Sequence, residues 1–209
     1  MNYDDIVDMA LSYSDRQDDE VTTRMDKFIL MVEARINRKI KISDMSARAL
    51  IDLTAADPGQ EIFALPSDFA GLRSIKIVGA AEQRTLTYVN PEQLGNRASK
   101  GTSGLFYERI YYNIVAQELH LYPPQDTGNL EITYYQKIDS LTVANPNNFI
   151  SDDEPDCYIF GVLTEISAFI KDADAFGIWE KRFIDCIDDI KFEDDITRWS
   201  GTSLQIHVG

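Results

Sequence analysis

The 209-residue sequence predicts an α+β fold: a helical bundle, made of N-terminal helices plus a C-terminal helical hairpin, with an inserted antiparallel β module and an extended C-terminal arm. Three observations carry that expectation. Apolar residues recur at helical spacing through 21–40 and again through 158–190. Between about 58 and 140 the period falls towards two, and the apolar residues become aromatic and β-branched, which is the texture of strands. The last twelve residues, RWSGTSLQIHVG, hold no acid and alternate polar with apolar from Ser203 to Val208, in a chain of formal charge −15. The expected division is therefore 1–57 for the N-terminal helices, 58–140 for the β module, 141–192 for the hairpin and 193–209 for the arm.

In chain order, Asn2 with Asp5 three residues on suggests a capped first helix near 2–13, with Ile6, Met9, Ala10 and Tyr13 on one face. After a polar turn, Val21, Met25, Phe28, Ile29, Val32, Ile36 and Ile40 predict a second helix over 20–40. Acids lead into it and Arg35, Arg38, Lys39 and Lys41 close it, as the helix dipole favours. Residues 43–56 fit a short helix or, over Ala47–Thr54, a first strand. Strands are expected over Glu61–Leu65, Leu72–Val78, Thr85–Val89, Gly104–Ile110, Ile114–Val115, Glu118–Tyr122 and Asn129–Lys137, between Pro- and Gly-rich breaks. Asn90–Leu94 reads as one helical turn, with Pro91 at its first position.

Ser151 and Glu154 suggest a capping box ahead of a helix over 155–171, and a break at 171–174 leads into a final helix over 175–192. So short a link implies that the two helices pack antiparallel. The shared seam is led by Phe28, Val32, Ile36, Val162, Ile166, Phe169, Trp179 and Phe183. Gly161, inside a helix, costs roughly 1 kcal/mol relative to Ala, which a close helix approach would offset.

Composition bounds the function. Hydrophobic content of 44% and charged content of 26% are ordinary for a soluble domain. The start, MNYDDIVDMA, has acids where a signal peptide needs bases, and no apolar run approaches the roughly 18 residues of a spanning helix. Residues 151–195 hold 14 acids and 4 bases, which argues against gripping nucleic acid. Cys157 and Cys186 are expected as free buried thiols; the first-turn position of Cys157 also admits a lowered pKa and a nucleophilic reading. His120 and His207 have no partners at zinc spacing, and no phosphate loop or nucleophile elbow is present. Asp152 with Glu154, or Asp172 with Asp174, could serve a carboxylate-dependent cell-wall hydrolase, but both pairs read first as caps and solvated turns. No catalytic, metal or cofactor residue is selected.

Three phrases carry a resemblance. They are DKFILMVEARINRKIKI (26–42), ALPSDFAGLRSIKI (64–77), and ITYYQKIDSL (132–141), the last followed by Asn147, Pro155, Asp156, Tyr158, Phe160, Gly161, Leu163 and Glu165, then Trp179, Glu180, Arg182 and Phe183. In this order they resemble the head-to-tail adaptor (connector) proteins of short-tailed bacteriophages, over nearly the whole chain. Where tails of that family often carry several Arg after the Ser-Gly, Leu204–Val208 has none.

The resemblance implies a non-enzymatic virion protein of the neck between head and tail, assembled in the host cytoplasm. It would form a homo-oligomeric, twelvefold ring that joins the portal protein above to a tail (nozzle) protein below, with DNA as a passing neighbour and no membrane or cofactor involved. Another tail ring protein of the same architecture is the alternative within that class. Two sets of residues then acquire roles. Asp185, Asp188, Asp189, Glu193, Asp194 and Asp195 could line the channel and repel phosphates, or simply solubilise the outer rim. Beyond a helix ending near Phe192, the arm would dock on the portal: Trp199 as anchor, Gly201 as pivot, and Leu204, Ile206 and Val208 on one face of a strand. The plain alternative is a disordered terminus.

Overall fold

A computed structural model describes residues 1–16, 18–55, 57–79, 84–94 and 109–199. The chain divides into two compact units, one of residues 1–44 with 138–209, the other of Met45–Lys137. The expected boundaries lay later, at 57 and 140. The difference at the first arises because β1 (Ser46–Asp52) is a strand of the sheet, the second of the two possibilities that residues 43–56 allowed.

The first unit is helical. α1 (Tyr3–Ser14) carries the expected capping box, Asn2 and Asp5 each accepting the other's backbone N–H. The helix expected over 20–40 is two, α2 (Asp19–Thr22) and α3 (Met25–Lys39), interrupted at Thr23-Arg24. Asn148, not Ser151, is the N-cap ahead of α4 (Phe149–Asp153), and Ser151 is its reciprocal partner three residues on. Pro155 opens α5 (Pro155–Ile170). Lys171 then takes a left-handed conformation (φ 62°), and the N–H of Asp172 reaches back to the Ser167 carbonyl, which stops the helix and turns the chain. α6 (Ala173–Trp199) runs beyond the expected end at Phe192, so 193–199 are helix and not arm. α5 packs against α1, α3 and α6. Of the expected seam, Phe28, Val32, Ile36, Val162, Ile166 and Phe183 are buried, whereas Phe169 is 37% exposed and Trp179 half-buried.

Among the described residues, the second unit holds seven strands hydrogen-bonded in the order β1-β7-β3-β4-β5-β6-β2. β7 (Asn129–Gln136) lies between β1 and β3 (Phe69–Val78), antiparallel to both. Its alternation buries Leu130, Ile132 and Tyr134. β4 (Arg84–Tyr88) meets β3 at Lys76↔Thr85 and Ile77↔Arg84, then pairs with β5 (Ile110–Val115) through Leu86, Thr87 and Tyr88, so it links two small sheets. The β4–β5 pairing is parallel, and the other pairings among the described strands are antiparallel as expected. β6 (Glu118–Tyr122) and β2 (Ile62–Ala64) complete the order, antiparallel. Of the strand expected over 104–110, only 109 and 110 are among the described residues. A helical turn covers 91–94 as expected, with Asn90 Oδ1 accepting the Glu92 N–H.

Candidate interaction surfaces

Of the residues that carried the resemblance, those of 64–77 and 132–137 belong to the sheet unit, and those of 26–42 and 147–183 meet inside the helical unit, in contacts that build it. Arg35 of α3 donates to Glu165 of α5 at 3.1 Å and to Glu180 of α6 at 2.5 and 2.7 Å. Its guanidinium lies 4.6 Å from the centre of the Phe183 ring. Burial works against that charge, but the two carboxylates outweigh it and raise the Arg35 pKa further. A Cβ at Gly161 would stand 2.6 and 3.0 Å from the Val32 methyls and 3.1 Å from Phe183, so only glycine lets α3, α5 and α6 approach this closely. Glu33 is buried and accepts from the Leu141 N–H at 2.6 Å and Tyr158 Oη at 3.3 Å, while Asn148 donates to Tyr158 Oη at 2.7 Å. Trp179 stacks on Phe160, with centroids 6.0 Å apart, and meets the edge of Tyr13. The helical phrases therefore record how three helices lock together.

Of the expected channel acids, Asp185, Asp188, Asp189, Glu193 and Asp195 are exposed along α6. Asp194 turns inwards, accepts the Ser43 N–H at 2.8 Å and pairs with Arg198 at 2.9 Å, so it ties the end of α6 to the 43–45 turn. Asp189 and Glu193 lie near Asp153, Glu154 and Asp156 at the start of the hairpin. Burial, then Asp156, Glu193, Asp153 and Asp189, raise the Glu154 pKa. A groove of about 240 Å³ opens here, floored by Ile42, Phe149, Ile150 and Ile190 and rimmed by Asp153, Glu154 and Glu193. Asp185, Asp188 and Asp195 are exposed on the outward side of α6, Asp185 one turn before Asp189 and next to it, and Asp188 pairs locally with Lys191 at 2.9 Å.

The reactive readings meet specific obstacles. Cys157 is fully buried, and its hydrogen bond to Cys186, with burial second, pushes its thiol pKa far up, which contradicts a nucleophilic role. Glu154, Asp156 and Cys186 bring one possible ligand atom each within 4.8 Å of one another, but that thiol is already engaged by Cys157. Asp172 caps the Ala175 N–H at 3.0 Å, and Asp152 accepts from the Asn147 amide at 2.6 Å, so one member of each carboxylate pair is held in a local turn. No helix among the described residues is long and apolar enough to cross a membrane.

Trp199 closes α6, and Gly201, Leu204, Ile206 and Val208 lie outside the described residues. The sequence pattern missed a set of exposed apolar side chains: Leu30 and Met31 on α3, and Ile178, Phe192 and Ile196 on α6. Their signal was available as apolar residues off the buried stripe of each helix, but for Ile196 only once α6 is continued past Phe192.

Among known proteins, a family model described as SU10 adaptor protein matches residues 1–206. No curated protein matches the chain.

Proposed function

The chain belongs to the SU10 adaptor protein family, a family of phage head-to-tail adaptors, and from that premise we propose that it is the neck ring of a virion. In this reading twelve copies assemble beneath the portal protein, receive a tail (nozzle) protein below and leave a central path for DNA. No catalysis is assigned to it. The observation that carries the reading is the match of the family over 1–206, together with a helical unit that those motif residues lock rigid. α6 is about 40 Å long and delivers residues 200–209 from one end of that unit, a geometry suited to an arm that reaches a partner.

The docking arm is then 200–209 behind the Trp199 anchor, with Leu204, Ile206 and Val208 as the apolar face. The DNA-facing charge is the edge of Asp189, Glu193, Asp153, Glu154 and Asp156, where crowding of like charge supports a repulsive wall. Asp185, Asp188 and Asp195 continue outwards from that edge along α6, and Asp194 is held inwards by the Ser43 N–H.

The test mixes the chain with purified portal rings of the same phage and reads co-sedimentation and ring images. The whole chain is expected to add one copy per portal subunit. A chain lacking 200–209 is expected to keep its circular dichroism spectrum and to lose portal binding. Unchanged binding by the truncated chain would overturn the arm, and no binding by the whole chain would overturn the adaptor reading.

A further inference from the structure

Two outward faces of the helical unit carry apolar residues between charges of opposite sign. On α3, Lys27, Leu30, Met31, Ala34 and Arg38 fall opposite the buried Val32 and Ile36, and all five are exposed, Leu30 by 59% and Met31 by 48%. The face has a cation at each end and no acid, and its cations are separated by about 16 Å of helix rise. On α6, Ile178, Lys181, Asp185, Asp188, Phe192 and Asp195 fall opposite the buried Phe183, Ile187 and Ile190, so acids outnumber the one lysine of this face, which lies a turn before Asp185. Here Ile178 is 56% and Phe192 65% exposed, and Asp185 and Asp195 are separated by about 15 Å of rise. The Asp188–Lys191 pair on this face is solvent-exposed, and such pairs are weak enough to exchange partners.

We propose that these faces are the two halves of one contact between copies of this chain: the α3 face of one copy packs against the α6 face of the next. This rests on the ring reading above and gives it residues. The occupant follows from charge. Paired with itself, the α3 face sets Lys27 and Arg38 against their equivalents, and the α6 face sets acid against acid; paired with each other, the cations meet Asp185 and Asp195 while Leu30, Met31 and Ala34 cover Phe192. A contact between two unlike faces is directional. It leaves one free face of each kind at every step, so copies add head to tail until rotation closes the ring.

The test uses the full chain carrying Ala34→Cys and Phe192→Cys, oxidised with copper phenanthroline, both alone at high concentration and on portal rings; Cys157 and Cys186 are buried and stay out of the reaction. A reducible ladder that climbs past the dimer is expected from the double variant, and at most dimers from either single variant. In the same background, Lys27→Glu/Arg38→Glu and Asp185→Lys/Asp195→Lys should each cut the ladder at least tenfold. An equal mixture of the two should restore it, because each variant then presents one sign on both faces. A chain that binds portals without the ladder overturns this contact and leaves the adaptor reading standing. A ladder without portal binding does the reverse. If the charge variants misfold, the cysteine pair, in native charge, decides alone.

Discussion

Glu33 is the residue where burial and hydrogen bonding compete most openly. Burial raises its pKa above the ordinary 4.5, against the lowering effect of donors from Leu141, Ser140 and Tyr158. A raised carboxyl pKa means that the fold favours the protonated form. Its contribution is therefore present below the unfolded pKa and is lost as pH rises through the folded one. Glu33→Gln keeps a carbonyl acceptor and never ionises. Urea melts should find it equal to the native chain near pH 4 and increasingly the more stable towards pH 7. Glu33→Ala strands the Leu141 N–H and should cost about 1–3 kcal/mol across that range. At Gly161 steric contact decides. Gly161→Ala gains helix propensity but drives a methyl into Val32, and a net loss of about 1–3 kcal/mol is expected, part of which Val32→Ala should restore in a double-mutant cycle. Arg35→Ala leaves Glu165 and Glu180 facing each other without a cation; since the triad is partly open to solvent, about 2–4 kcal/mol is expected in the same melts.

At the scale of elements, α6 shows what a pattern can and cannot reveal. Its buried stripe, Phe183, Ile187 and Ile190, was legible from spacing alone. Its last two turns were not, because the next inward position is Asp194, which interrupts the apolar period. That carboxylate is satisfied by Ser43, 151 residues away, a partner that no local rule can supply. Asp194→Ala should therefore loosen the end of α6, at about 1–2 kcal/mol, with hydrogen-exchange protection lost over 193–199 and kept over 183–190. β1 was ambiguous for a similar reason. SARALID has few β-branched residues, and it is a strand because β7 pairs with it along its whole length. The parallel β4–β5 pair joins strands separated by residues whose own pattern says nothing of direction. The candidate surfaces followed the same division. The count of acids was plain in the sequence, but that Asp194 turns inwards while its neighbours stay exposed depended on how far α6 runs.

For the whole molecule, the feature with the widest consequence is the pairing of Ser46 with Tyr135, which sets the first and last strands of the sheet unit side by side. That unit enters and leaves through neighbouring points, so it can be removed as a block. Replacing 45–137 by a short Gly-Ser linker is expected to leave a chain that still melts cooperatively with helical circular dichroism; a chain without a melting transition would refute this. The same pairing bears on how quickly α3 finds α5. In the unfolded chain a loop of roughly 90 residues separates the two halves of the helical unit; once β1 and β7 zip, the effective loop is a few residues, which removes about 2 kcal/mol of closure entropy. Both tryptophans, Trp179 and Trp199, lie in the helical unit, so stopped-flow fluorescence follows that unit alone. Ile132→Ala, a core change confined to the sheet, should slow this fluorescence change in the whole chain. Such slowing would mean that the sheet sets the clock for helices whose contacts it need not share, with order arriving in the middle of the chain first and drawing the two ends together; an unchanged rate would refute it.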